Sequence, residues 1–225
     1  MAIDGPAGAG KSTIARRLAG RLGFTYIDTG AMYRAVALWA LRQKVDWDDM
    51  HRMEQLAMAA EIELSPGRIH LNGEDISEAI RTPDVSNGAS KVAVIPGVRR
   101  AMVAKQREIG HRISVVMEGR DIGTVVFPHA PVKIFLDASP EKRGERRYEQ
   151  NRDGAVATQL PVKVLEAIRE RDRRDRTRAD SPLRPAPDAA IIDSTDLTLD
   201  EVIERAVVLV ERYLSTSSGS ASMGR

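Results

Sequence analysis

Short apolar runs alternate along the chain with amphipathic stretches. Phe24–Ile27, Ile113–Met117, Val132–Leu136 and Ala190–Ile192 are brief, rich in branched residues and bounded by Gly, Asp or Pro. Runs of this length and composition read as strands buried on both faces. Ala2-Ile3 is the last fragment of another, expected to be short because only Met1-Ala2-Ile3-Asp4 precede a glycine-rich loop. Between the runs, apolar residues recur at helical spacing. Ile14, Leu18 and Leu22 mark one helix face, and Val202, Ala206, Leu209 and Tyr213 mark another. The second helix opens with Thr198-Leu199-Asp200-Glu201, the pattern of a capping box. Strands alternating with helices predict an α/β fold, a parallel sheet with helices on both faces.

Residues 62–76 break this rhythm. Ile62–Leu64 and Ile69–Leu71 flank Ser65-Pro66-Gly67-Arg68, and Asn72-Gly73 offers a second turn. The stretch 61–82 is therefore expected to be a small antiparallel insertion outside the main sheet. Residues 149–160 are polar around Gly154 and read as a mobile loop, and the Ser/Gly-rich 215–225 reads as a disordered tail. No internal repeat is present.

Composition narrows the function classes. With 225 residues, 42% of them hydrophobic, the chain is long enough for a substantial core of one domain with insertions. The absence of cysteine excludes a disulfide scaffold, a Cys-ligated metal site and thiol catalysis. The longest apolar runs are about five residues, far from the roughly 20 that span a bilayer, so no membrane partner is expected. The opening residues carry neither a basic stretch nor an apolar one, which makes the cytoplasm the expected compartment. Lys and Arg number 34 against 32 Asp and Glu. So small an excess is weak support for nucleic-acid binding. No heptad pattern appears, and a monomer is the default expectation.

The sharpest chemical signal is Gly5-Pro6-Ala7-Gly8-Ala9-Gly10-Lys11-Ser12, a full match to G-x-x-x-x-G-K-[ST] between a strand fragment and a helix, with Thr13 next in line. Glycines let backbone N–H groups turn inward around phosphate, and the helix N-terminus adds its positive dipole end. Lys11 is expected at the β- and γ-phosphates of ATP, and the Ser12 hydroxyl on Mg²⁺. A chance glycine-rich turn is a poor alternative for a complete match in this context.

Other segments suggest a second substrate. No Asn-Lys-x-Asp guanine reader is present, and no strand ends in Asp-Glu as in motors and helicases. The second strand leads instead into Asp28-Thr29-Gly30-Ala31-Met32-Tyr33-Arg34. Alone, Tyr33 and Arg34 read as a core aromatic and a surface cation; after a P-loop they suit a smaller phosphate-bearing molecule. The third strand ends in Glu118-Gly119-Arg120-Asp121, where ligands of open α/β sheets sit, although a local Arg–Asp surface pair would look the same. Residues 169–178 hold six arginines and three acids, with Arg171, Asp175 and Arg178 at i, i+4, i+7. A solvated helix or a nucleic-acid surface remains open there. Interleaved Arg and Asp better suit sugar hydroxyls and phosphate together.

Taken together, these motifs resemble those of the bacterial cytidylate kinase family. The most specific are Asp28–Arg34, Gly119-Arg120-Asp121-Ile122-Gly123-Thr124-Val125-Val126-Phe127-Pro128, Ile134-Phe135-Leu136-Asp137-Ala138, Arg171–Arg176 and Asp193-Ser194-Thr195. The resemblance covers nearly the whole chain. It implies a P-loop fold with a five-stranded parallel core (1–28, 96–147 and 161–214), an acceptor-binding region at 29–95 and a lid at 148–160. The implied reaction passes a phosphoryl group from ATP to CMP or dCMP with Mg²⁺. Thr29, Tyr33, Arg34, Arg120 and Arg178 fall where the family holds the acceptor nucleotide, mainly around its phosphate. Ser90, Arg99 and Asp121 fall at cytosine-reading positions, and Arg171 and Asp175 at the ribose. Arg143, Arg146 and Arg147 resemble the arginines that close over the transferring group. Glu118 departs from the family, which more often has Asp there. The competing readings are another small P-loop kinase, acting on UMP, shikimate or dephospho-CoA, and a nucleic-acid-stimulated ATPase. The four histidines, His51, His70, His111 and His129, are scattered and not expected to act as nucleophiles.

Overall fold

The computed structural model describes residues 1–152 and 161–220. The chain begins with β1 (Ala2–Asp4), α1 (Lys11–Leu22), β2 (Thr25–Asp28), α2 (Thr29–Arg42) and α3 (Met50–Ala59). Three short strands follow, β3 (Ile62–Ser65), β4 (Arg68–Leu71) and β5 (Glu74–Asp75), then α4 (Pro83–Val92) and α5 (Pro96–Arg112). The remainder is β6 (Val115–Gly119), β7 (Lys133–Asp137), α6 (Pro140–Arg152), α7 (Pro161–Thr177), β8 (Ala190–Asp193) and α8 (Leu199–Ser220). Between β6 and β7, Ile122–Val126 form one wide turn in which the Phe127 N–H reaches back to the Ile122 carbonyl.

The main sheet has the order β2-β6-β1-β7-β8, all neighbours parallel. β1 and β6, inside the sheet, are buried at every position, whereas the edge strand β8 is mostly not. Continuous apolar runs therefore belong to the middle of the sheet, where both faces are covered. Ile14 and Leu18 of α1 and Val202 and Ala206 of α8 pack with Ile3, Val116 and Ile134 in one core cluster. Ala2, Ile27 and Met117 join Ile122 and Val126 in another. A third cluster unites Met32 and Val36 of α2, Met53 of α3, Val85 of α4 and Met102 of α5 with Ile69 and Leu71 of the antiparallel sheet β3-β4-β5. The insertion is thus anchored by its own apolar side chains. No described helix is long and apolar enough to cross a membrane.

Register decides where chemistry collects. Asp4 lies beside Gly119, and Asp28 beside Glu118, so the carboxyl ends of β1, β2 and β6 finish at one level. Ligand sites of open α/β sheets form at this edge.

Several boundaries differ from the apolar runs. Phe24 and Ile113 lie outside their strands and are partly exposed, because pairing of β2 with β6 begins only at Thr25 and Val115. β6 then continues through the polar Glu118 to Gly119. The segment expected as a loop from 149 is helical through Arg152, an extension of α6 in which no Gly or Pro intervenes. The rest of the expected lid, 153–160, lies outside the described residues. Likewise α8 runs on to Ser220 through much of the expected disordered tail, because elongating an established helix avoids the cost of a new nucleus even through weak helix formers. Residues 221–225 lie outside the described residues.

Candidate active site

The loop between β1 and α1 is shaped by backbone that only glycine tolerates. Gly8 has φ +77°, and a Cβ on Gly5 would sit 2.0 Å from the Leu136 carbonyl oxygen. The first turn of α1 carries no acid, and Gly10 supplies no side-chain cap, so its amides are left for an anion. Lys11 is buried, and its Nζ donates to the Pro6 carbonyl at 2.7 Å. Burial lowers its pKa, and Arg120 lowers it further.

Two arginines of α6 hold the loop from behind. Arg143 donates to the carbonyls of Ala138 (2.8 Å) and Ala7 (3.1 Å) and to both oxygens of Asp172. Arg146 donates to the Ser194 carbonyl at 2.7 Å, to its hydroxyl at 3.1 Å and to the Ala9 carbonyl at 3.4 Å. Arg143 was expected to close over a transferring group. Its guanidinium is instead buried and engaged under the loop, since Asp172 lies opposite it on α7.

The opposite side of the crevice begins at α2. Asp28 caps that helix by accepting from the Ala31 N–H at 3.0 Å and pairs with Arg34 at 2.7 Å. Thr29 donates its hydroxyl to the Glu118 carbonyl at 2.7 Å. Glu118 accepts from Tyr26 at 2.5 Å, with Ser12 nearby, while burial and the neighbouring Asp28 raise its pKa. Arg120 pairs with Asp175 at 2.9 Å, and Arg171 approaches the same carboxylate at 4.0 Å. Burial and the neighbouring Arg120 bring the Arg171 pKa down to about 10, with Arg34 and Arg147 adding to the fall. Burial and Arg34 also lower that of Arg147. Lys11, Arg34, Arg120, Arg147 and Arg171 thus form a mutually repelling cationic group, which a polyanion would relieve.

Deeper in the same crevice Asp121 is buried between Arg99, which donates to it, and Arg178, 3.7 Å away. The Tyr33 ring lies under Arg99, 6.0 Å from its guanidinium carbon, and burial raises the Tyr33 pKa to about 12. Ser90 Oγ, Arg99 Nε and Arg178 Nη2 are buried without a hydrogen bond. Unsatisfied buried polar atoms are uncommon in native proteins, and two of these belong to the arginines that flank the Asp121 carboxylate.

Sequence reasoning missed Tyr26 and Asp172, the polar partners of Glu118 and Arg143. The only available signal for Asp172 was its place in the Arg-rich run. For a hard cation the donor set near the loop is all oxygen: the Ser12 hydroxyl and the Glu118 carboxylate, with Asp28 beside it. No group of three or more His, Cys, Asp or Glu suited to a metal exists among the described residues. Oxygen donors of this kind suit Mg²⁺, a hard cation that arrives with phosphates and keeps waters.

A family model described as cytidylate kinase matches residues 1–212. A cytidylate kinase of Solibacter usitatus is 70% identical over 218 residues, covering 96% of this chain and 94% of that protein. One from Caldanaerobacter subterraneus is 50% identical over 212 residues, 94% of either chain. The crystal structure of an uncharacterized protein from Eubacterium ventriosum is similar at a TM-score of 0.51 and 11% identity, over 93% of this chain and 96% of that one. That last likeness is one of fold.

Proposed function

The chain belongs to the cytidylate kinase family, and from that premise we propose that it transfers the γ-phosphoryl group of ATP to CMP and dCMP. The supporting observation is the cationic group in which Lys11 of the P-loop meets Arg120 and Arg171 from the acceptor side. Two phosphate-binding surfaces that feel each other's charge are what a reaction between two phosphates requires.

An oxygen of the CMP phosphate attacks the γ-phosphorus of ATP. The bond from that phosphorus to the β,γ-bridging oxygen breaks as the new P–O bond forms, and ADP leaves with the electron pair. The attacking phosphate is already dianionic at neutral pH, so no general base is needed. Positioning and charge neutralisation carry the catalysis. Loop amides, Lys11 and Thr13 hold the donor, and Arg143 keeps the loop in shape. Arg120 and Arg34, each oriented by a carboxylate, take the acceptor phosphate with Thr29, Tyr33 and Arg178. Arg171 and Asp175 face the ribose. Ser12 and Glu118 would hold Mg²⁺, which would supply charge neutralisation to the transferring phosphates. Residues 148–160 act as a lid over an acceptor region at 29–95, bringing Arg147 to the reacting group and excluding water, while Arg146, engaged by Ser194 and Ala9, supports the loop.

Base choice follows from hydrogen-bond polarity. Cytosine presents an acceptor at N3 beside a 4-amino donor. Arg99 donates to the first, while Asp121 and Ser90 accept from the second. We extend the reading to a monomer acting in the cytoplasm.

The test is an acceptor panel with ATP and Mg²⁺, read as ADP formed. CMP and dCMP are expected to lead UMP, with shikimate, dephospho-CoA and RNA inactive. Turnover raised by RNA and not by CMP would overturn the proposal in favour of a nucleic-acid-stimulated ATPase.

A further inference from the structure

We propose that Asp4 is a positioning residue that locks the acceptor-binding turn to the nucleotide-binding loop, holding both substrates in one frame. The inference rests on the kinase reading above. Asp4 is the last residue of β1 and is joined covalently to Gly5. Its carboxylate is buried, and each oxygen takes one backbone amide: Oδ1 accepts from Ile122 at 2.8 Å and Oδ2 from Gly123 at 2.7 Å. Those amides directly follow Arg120 and Asp121.

The strand ladder explains the need for such a clamp. β1 and β6 pair until Asp4 meets Gly119 and no further. The turn that carries Arg120 and Asp121 begins where that pairing ends, and the Asp4 side chain continues the tie across the gap. The fit is close, since a Cβ on Gly123 would lie 3.4 Å from Asp4 Oδ2 and 3.2 Å from the Lys133 side chain. Asp4 is not an ion-pair partner of Lys11, whose Nζ donates to Pro6. The charged groups that act on the Asp4 carboxylate are Asp121 and Lys11, one from each substrate's side. Keeping a carboxylate in this dry position is unfavourable, which argues for geometry as its purpose. In-line transfer requires the reacting atoms about 3–3.5 Å apart, and a displacement of about 1 Å can cost about 100-fold.

Asp4→Asn keeps the volume but turns one acceptor into a donor facing an amide N–H. In this variant kcat/KM for CMP is expected to fall at least about tenfold and the preference for CMP over UMP to narrow, because Asp121 loses its frame. ADP affinity of the CMP-free protein should change less than about twofold, because the loop keeps Lys11 and Arg143. A merely structural role predicts a lower Tm with equal losses on CMP and UMP, and that result would overturn the inference. Should Asp4→Asn not fold, Asp4→Ser is judged by the same two ratios. Amide exchange of the unmodified protein gives an answer without any variant. Ile122 and Gly123 must be protected well beyond exposed loop amides, and fast exchange there rejects the clamp. An unmodified protein that ignores CMP overturns the kinase reading, whereas one that prefers CMP while Asp4→Asn keeps that preference overturns only the role of Asp4.

Discussion

Arg143 and Asp172 face each other as a fork, Nη1 to Oδ1 at 3.0 Å and Nη2 to Oδ2 at 2.5 Å, directly behind the nucleotide-binding loop. Both side chains are largely buried, at 2% and 13% exposure, and the same guanidinium holds the Ala7 carbonyl. Removing one partner leaves an uncompensated buried charge, typically about 3–5 kcal/mol. Asp172→Ala is therefore expected to lower the Tm sharply and weaken ATP binding. Arg143→Lys should show losses in the same direction, because an ammonium cannot fork. Thermal unfolding and ATP titration of both variants check this, and an unchanged Tm in Asp172→Ala would remove the pair from the architecture of the loop.

Lys11→Ala should nearly abolish turnover while leaving the fold intact. The side chain is held by the Pro6 carbonyl and packs against no acid as an ion pair among the described residues, so its loss strips charge from the reacting phosphates. Circular dichroism controls for folding. Retention of more than about a tenth of the activity would contradict the role that the motif gives it.

The parts of this site that were legible in the sequence are those in which contiguous residues carry the geometry. Gly5 to Ser12 is one turn of chain, and Asp28 to Arg34 is a cap followed by one helix face, so spacing alone locates them. Arg171 and Asp175 were equally legible because i, i+4 spacing puts them on one face of α7, whereas Arg178 lies just past the end of that helix. What spacing does not encode is which donors the protein itself consumes. Arg143 and Arg147 are alike in sequence, yet Arg143 is engaged by Asp172 and two carbonyls, a fact decided by how α6 packs on α7. The same holds for Asp4, whose partners are more than a hundred residues away. Strand ends were shifted for a related reason. Pairing with a neighbour ends a strand, and Ile113 is apolar but has no strand partner.

Asp4 also gives stability a defined pH dependence. Burial raises its pKa from 3.8 to about 6, against the pull of its two amide bonds and Lys11, with Asp121 adding to the rise. The native state thus binds this proton more tightly than the unfolded chain, so the contribution from Asp4 improves as pH falls from about 6 towards 3.8. At about 1.4 kcal/mol per pH unit the full effect is about 3 kcal/mol. Urea unfolding of the unmodified protein and Asp4→Asn between pH 7 and pH 4 should show their stability difference shifting towards the unmodified protein in acid. A difference constant with pH would mean that Asp4 titrates as it does in the unfolded chain.

Arg147 is solvent-exposed at the edge of the crevice, close enough to Arg34 for its pKa to be lowered. A cation held near other cations gains most when negative charge accumulates, which happens as the phosphoryl group transfers. Arg147→Ala is expected to lower kcat by more than it raises the KM for CMP. Steady-state kinetics at varied CMP separate the two. A change confined to KM would move Arg147 from the transferring group to acceptor binding.

In the proposed reading, Asp121 decides the base. Its carboxylate is fixed by Arg99 and faces Arg178 at 3.7 Å. With cytosine it accepts from the 4-amino group. With uracil it would face a carbonyl oxygen, leaving a buried acceptor unpaired at a cost of roughly 1–3 kcal/mol. Discrimination of about tenfold to a hundredfold in kcat/KM follows for the unmodified protein. Asp121→Ala should lose activity mainly on CMP and narrow its lead over UMP, because only the cytosine complex loses a partner. Asp121→Asn sharpens the comparison: its amide can donate to the uracil O4, so UMP should lose less than CMP or even gain. Equal proportional losses on the two nucleotides would show that Asp121 only supports the Gly119-Arg120 turn, and the base reader would then be Arg99 with Ser90.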